Sequence, residues 1–219
     1  VKKIVDEKLL GDIIEAEFHF DRYKPALSTK QHKETAIPGS GLLHDLGPHL
    51  IDQALYLFGL PGYVSGILRT VRPCSIVNDY FDITLLYDTF SLRLKSSLLV
   101  KEILPAYILH GTNGSFIKER ADIQEDSLKS GLKPGTVTWG IEPETACGML
   151  NLESTGKKVI VSLPGNYMEF YDELHNALKN GNKLPVTGLD GLHVMQVIEA
   201  VIESNASKKM VLLHGTNAI

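Results

Sequence analysis

The hydrophobic positions of the chain recur first with a period of two, then with a helical period, and the changes mark out its elements. Residues 1–9 read as the end of a helix stopped by Gly11. Ile14, Ala16, Phe18 and Phe20 then alternate with Glu15, Glu17, His19 and Asp21, which predicts a half-buried strand. Residues 24–41 are polar and rich in Pro, Gly, Ser and Thr, a long loop of a kind that is uncommon unless functional. An apolar helical stretch runs from Leu42 to Phe58 and is ended by Gly59 and Pro61. Four strands are expected next, over Tyr63–Arg72, Tyr80–Tyr87, Phe90–Leu99 and Ala106–His110. Asp88-Thr89 and Asn113-Gly114 supply hairpin turns. Residues 119–150 carry weak patterning and are expected to be irregular, and Lys157–Leu163 reads as a further strand. Asn166 is placed to cap a helix reaching Asn180, with Gly181 past its end and Met168, Tyr171, Leu174 and Leu178 on one face. A last helix over Leu189–Asn205 and a short strand over Met210–Leu213 close the chain. Strands in a consecutive block without intervening helices argue for an antiparallel or mixed sheet, not a doubly wound parallel one.

Composition narrows the class. Of 219 residues, 43% are hydrophobic and 22% charged, which suits a globular protein and excludes disorder, collagen-like repeats and a coiled coil. A net charge of −4 disfavours non-specific nucleic-acid binding. Asp6, Glu7 and Lys8 interrupt any signal-peptide core, and no apolar run is long enough to span a membrane. Cys74 and Cys147 are too few for a disulfide framework and fit free thiols in a reducing cytoplasm. A chain that opens inside a helix, at Val1 and without Met, is expected to be part of something longer.

One segment carries candidate chemistry: Gly39-Ser40-Gly41-Leu42-Leu43-His44-Asp45-Leu46-Gly47-Pro48-His49-Leu50-Ile51-Asp52. On a helix, Asp45, His49, Asp52 and Tyr56 fall within about 60° of one another around the axis. An imidazole one turn from a carboxylate suits proton transfer, the His acting as general base and the carboxylate orienting its ring. A polar stripe opposite an apolar one also describes any surface helix. Pro48 raises a second alternative, a helix that starts only there and leaves Asp45 ahead of it. His44, Asp45, His49 and Asp52 are allowed metal ligands, but His44 points about 100° away from Asp45 and no HExxH or second ligand cluster accompanies them, so no metal is expected. Gly39-Ser40-Gly41-Leu42-Leu43-His44 misses the dinucleotide fingerprint at its third glycine and follows a loop instead of a strand. Cys147 has no activating neighbours in sequence and is expected to be inert.

The same segment, with Leu57-Phe58-Gly59-Leu60-Pro61, resembles the substrate-domain signature of the Gfo/Idh/MocA oxidoreductases, named for glucose–fructose oxidoreductase, inositol dehydrogenase and a rhizopine-catabolism protein. The resemblance extends through Lys8-Leu9-Leu10-Gly11-Asp12-Ile13, Asn78-Asp79-Tyr80, Tyr167, Phe170-Tyr171, Leu174, Ala177-Leu178, Gly181, Pro185-Val186 and the helix over Ile198–Ser204. His19-Phe20-Asp21-Arg22-Tyr23-Lys24-Pro25 looks like an NADP-dependent subgroup. What the resemblance implies is an α+β, GAPDH-like C-terminal domain: a large, mainly antiparallel sheet with helices packed on one face. Its open face is expected to pair with another subunit in a homodimer or higher oligomer.

Family members also have a Rossmann domain with a glycine-rich fingerprint and a Glu-Lys-Pro motif carrying a catalytic lysine. Neither is found in these residues. The resemblance therefore implies that residues 1–219 form one substrate-binding and oligomerisation domain, with 1–10 the end of a linker helix from a missing N-terminal domain that binds most of the NAD(P). In that scheme His49 takes the proton of a substrate hydroxyl while hydride leaves for the nicotinamide, and Asp45 holds the substrate or tunes His49. Arg22, Tyr23 and Asp52 are further candidates for lining the pocket of a sugar, polyol or related carbonyl substrate. Taken alone, the chain is expected to bind NAD(P) poorly and to lack turnover. The alternative is a non-catalytic binding or assembly module without a cofactor domain.

Overall fold

The structure is a computed structural model and describes residues 1–136 and 138–213. Its elements in chain order are α1 (Lys2–Asp6), β1 (Ile13–His19), α2 (Gln31–Glu34), α3 (Leu42–Phe58), β2 (Tyr63–Arg69), β3 (Tyr80–Leu86), β4 (Ser91–Ser97), β5 (Tyr107–Gly111), β6 (Gly114–Lys118), α4 (Gln124–Lys129), β7 (Gly148–Leu152), β8 (Gly156–Ile160), α5 (Tyr167–Asn180), α6 (Gly188–Ser207) and β9 (Val211–Leu212). The nine strands form one sheet in the order β8-β7-β6-β5-β1-β4-β3-β2-β9. Every pairing is antiparallel except β1 with β4.

Alternation in the strands decides which face is dry. Ala16 and Phe18 of β1, Phe81, Ile83 and Leu85 of β3, and Leu92 and Leu94 of β4 are buried against one side. Covering them are Leu43, Leu46, Leu50, Ile51 and Ala54 of α3 with Val197, Ile198 and Val201 of α6. Gly66 in β2 makes the approach of α6 possible, since a Cβ there would sit 2.7 Å from the Val201 side chain. Among the described residues the other face is bare. It carries Tyr63, Ile67, Ile117, Met149 and Val159, all exposed, beside polar groups such as the Arg93–Asp82 ion pair.

Several sequence expectations are corrected by the structure. Ile14, expected on the dry side of its strand, is 56% exposed, because a register shift between Ile13 and Glu15 turns it outward. The stretch expected to be irregular holds β7 and α4, and β6 follows a turn centred on Thr112-Asn113, one residue earlier than expected. The loop 24–41 contains the short α2. The helices fall where expected: Asn166 caps α5 by accepting the Met168 N–H, and Gly181 closes it in the left-handed conformation. Cys74 and Cys147 are both free. Among the described residues no helix is long and apolar enough to cross a membrane.

Candidate functional site

The site is organised by the start of α3. Gly41 adopts φ +89, a conformation that favours glycine, and a Cβ there would meet the Asn78 side chain at 2.5 Å. Asn78 uses that space: its carbonyl accepts the Leu42 N–H at 2.7 Å and its Oδ1 accepts the Leu43 N–H at 2.8 Å. Two of the four unpartnered donors of the helix are thereby satisfied. The helix continues through Pro48 to Phe58, so Asp45 and His49 stand one turn apart on its exposed side. It stops at Gly59, whose N–H bonds to the Leu55 carbonyl at 2.8 Å.

Asp45 lines a cavity of about 470 Å³ with Arg22, Lys24, Lys33, Arg72 and Asn78. Lys33 Nζ lies 2.6 Å from its Oδ1 and 2.7 Å from its Oδ2. His49, one turn further along α3, is exposed, and its ring meets the edge of Phe20 with centroids 6.4 Å apart. Phe20 in turn lies under two guanidinium groups, Arg120 at 4.0 Å and Arg22 at 4.7 Å from its centroid, positions that suit cation–π attraction. Past Arg120 begins a second cavity of about 500 Å³, lined by Gln53, Tyr107 and Arg120. There the Tyr107 hydroxyl donates to Gln53 Oε1 at 2.9 Å, and burial raises its pKa.

The expected residues divide. Asp45 and Arg22 share a cavity, and His49 is joined to Arg22 through Phe20. Tyr23 is exposed and forms a backbone bridge with Leu99. Asp52 faces a third cavity, about 940 Å³, with Tyr56, Glu173, Asp190 and His193. Burial and the nearby Asp190 raise the Asp52 pKa against the lowering pull of His49. His44 is turned away, its Nδ1 hydrogen-bonded to the Ser40 carbonyl at 3.1 Å. Among the described residues no three His, Cys, Asp or Glu side chains gather as a metal would require. In the segment Gly39–Leu43, the Leu42 and Leu43 amides are taken by Asn78 and the Ser40 amide by the Ile37 carbonyl, so these three are not free to cradle a pyrophosphate.

Comparison with known proteins bears on this arrangement. Residues 2–213 match the family model for the C-terminal alpha/beta domain of the Gfo/Idh/MocA oxidoreductases. The chain belongs to this family. The scyllo-inositol 2-dehydrogenase (NADP(+)) IolW of Bacillus subtilis is 34% identical over 216 residues, which are 97% of this chain and 60% of IolW. The uncharacterized oxidoreductase YdgJ of Escherichia coli is 35% identical over 207 residues, 93% of this chain and 59% of YdgJ. Among solved structures, the oxidoreductase yvaA of Bacillus subtilis superposes with a TM-score of 0.88 at 34% identity, over 97% of this chain and 60% of its own. The chain thus spans about 60% of the length of the Gfo/Idh/MocA relatives it matches.

Lys33, Phe20, Arg72 and Arg120 surround the site without having been singled out from sequence. Phe20 was visible as a strand residue, and its neighbours Arg22 and His19 flank it in the family-like segment. Lys33 carried no sequence signal: its partner lies twelve residues away, across a loop with no period.

Proposed function

We propose that this chain is the substrate domain of an NAD(P)-dependent oxidoreductase that oxidises a secondary hydroxyl of a sugar or polyol, or reduces the corresponding carbonyl. The observation that carries the reading is the Asp45–His49 pair one turn apart on the exposed side of α3, with Asp45 in the wall of a cavity. Membership of the Gfo/Idh/MocA family and the similarity to a scyllo-inositol 2-dehydrogenase (NADP(+)) support it. His49 takes the hydroxyl proton as the carbon is oxidised, and Asp45 accepts a hydrogen bond from the substrate and keeps it beside the imidazole. Arg22 forms part of the cavity wall, while Tyr23 and Asp52 lie off it and are assigned no direct contact. The nicotinamide cofactor, when bound, supplies the hydride acceptor. It is held mainly by an N-terminal Rossmann domain outside these residues. The bare sheet face pairs with a second subunit, and the free cysteines suit a reducing cytoplasm.

The test is turnover by the full-length protein on a panel of inositols and aldoses with NAD⁺ and NADP⁺. Reduction of the nicotinamide with at least one polyol is expected, and none from the 219-residue chain alone. Turnover by that chain alone would overturn the placement of the cofactor site outside it. A full-length protein that binds these compounds but oxidises none would favour the non-catalytic module.

A further inference from the structure

Asp45 faces an ammonium, and a buried device holds that ammonium in place. Lys33 Nζ reaches both Asp45 oxygens at 2.6 and 2.7 Å, and each side chain stays about a third exposed at the cavity wall. An ammonium carries three donors, of which Asp45 takes two, and a carboxylate has roughly four acceptor sites. The pair therefore offers a donor beside an acceptor, the complement of two neighbouring hydroxyls.

Lys33 is supplied by the loop 24–41, and the loop is fixed from behind by Arg72. This side chain is 3% exposed. Its Nε donates to Asp79 Oδ2 at 2.9 Å, its Nη2 to Glu34 Oε2 at 2.9 Å and its Nη1 to the Ala26 carbonyl at 3.1 Å. Glu34, the residue after Lys33, also accepts the Ser28 N–H at 2.8 Å. Asp79 is fully buried and accepts the Val71 N–H at 2.6 Å. Its chain neighbour is Asn78, which holds the first turn of α3. The helix bearing Asp45 and the loop bearing Lys33 thus hang from one dipeptide.

We propose that Lys33 and Asp45 together bind a vicinal diol of the substrate, Lys33 donating to one hydroxyl and Asp45 accepting from its neighbour, with Arg72 and Glu34 as positioning residues that act through Lys33. The proposal rests on the reading of Asp45 and His49 as the substrate site and adds the feature by which that site selects its substrate. Arg72 touches no substrate in this account; it fixes where the ammonium stands.

The experiment uses the full-length enzyme with the best substrate of the inositol and aldose panel and its analogue lacking one of two adjacent hydroxyls. Lys33→Met is expected to raise KM about tenfold, the worth of one charge-assisted hydrogen bond, and to change kcat little. Its preference for the parent over the deoxy analogue falls by a similar factor. Glu34→Gln, which loosens the clamp on its solvent side and spares the Arg72–Asp79 pair, raises KM in the same direction by a smaller factor. The Lys33→Met/Glu34→Gln double variant is no worse than Lys33→Met alone. An unchanged KM and preference in Lys33→Met, with turnover abolished by His49→Ala, overturns the diol proposal and leaves the site reading intact. Multiplying effects in the double variant overturn the positioning role. No loss in His49→Ala, or no turnover on the panel, overturns the site reading and the proposal with it.

Discussion

His49 differs from three other histidines of the chain in what its nitrogens touch. His44 is bonded to the Ser40 carbonyl, His110 to the Ser115 hydroxyl and His19 to two carboxylates. His49 is held only at its ring, by Phe20, and among the described residues neither nitrogen has a hydrogen-bond partner. Its nitrogens are therefore available to a ligand. His19 shows the opposite use. It is buried between Glu17, 2.9 Å from Nε2, and Asp21, 3.3 Å from Nδ1. Burial opposes its charge, but the hydrogen bonds to Asp21 and Glu17 together outweigh burial and raise its pKa. The contribution of a raised group to stability is full below its unfolded pKa, near 6.5, and is lost as pH rises through the folded value. His19→Gln is therefore expected to destabilise most below about pH 6.5 and progressively less above it. Thermal unfolding of both proteins across that range checks this, and a gap that widens with rising pH would contradict it.

Elements are fixed here by close approaches more than by propensity. Gly66 lets α6 lie on β2, and the added methyl of Gly66→Ala meets both the side chain and the backbone of Val201. A loss of about 1–3 kcal/mol is expected from such overpacking, read from urea unfolding. Asn78→Ala removes the acceptor for Leu43 N–H and should cost about 1–2 kcal/mol, as loss of a helix cap does; an unchanged midpoint would mean that the cap is not limiting. The same features explain what the sequence disclosed. Helix α3 was legible because Gly41 and Gly59 bracket a continuous apolar period, and α5 because Asn166 and Gly181 are ordinary start and stop residues. Strands β6 and β7 were not, since five residues apiece, GSFIK and GMLNL, hold too little alternation to stand apart from loop. The sequence pattern extends a strand to Arg72, whereas β2 stops at Arg69; Arg72 instead makes ion pairs across 38 residues to Glu34 and seven to Asp79, which no local pattern reveals. Asp45 and His49 could be found from spacing on one helix. Lys33 could not, because tertiary packing alone brings its loop there.

At the scale of the molecule, the sheet is covered on one side only among the described residues. The bare face mixes Tyr63, Ile67, Ile117, Met149 and Val159 with the Arg93–Asp82 pair, a composition suited to burial against a second protein surface. In the proposed function that surface is a second copy of the chain. Ile67→Glu, on the exposed side of β2, is expected to shift the full-length protein toward monomer in sedimentation velocity while leaving its thermal unfolding in the folded monomer cooperative. An unchanged sedimentation coefficient would place the interface elsewhere. In that proposal chemistry and assembly occupy separate regions. The Asp45 cavity lies where α3 and the loop 24–41 meet the ends of β3 and β4 near Asn78 and Leu98, and the bare face is left for association.

In the proposed mechanism His49, beside Asp45, moves the substrate proton. The most direct test is the steady-state kinetics of the His49→Ala variant of the full-length enzyme, on its best polyol and with its cofactor saturating. A kcat lowered by about a hundredfold or more is expected, with unfolding unchanged. A kcat equal to that of the unsubstituted enzyme would contradict it and return the polar stripe of α3 to a solvent-facing surface.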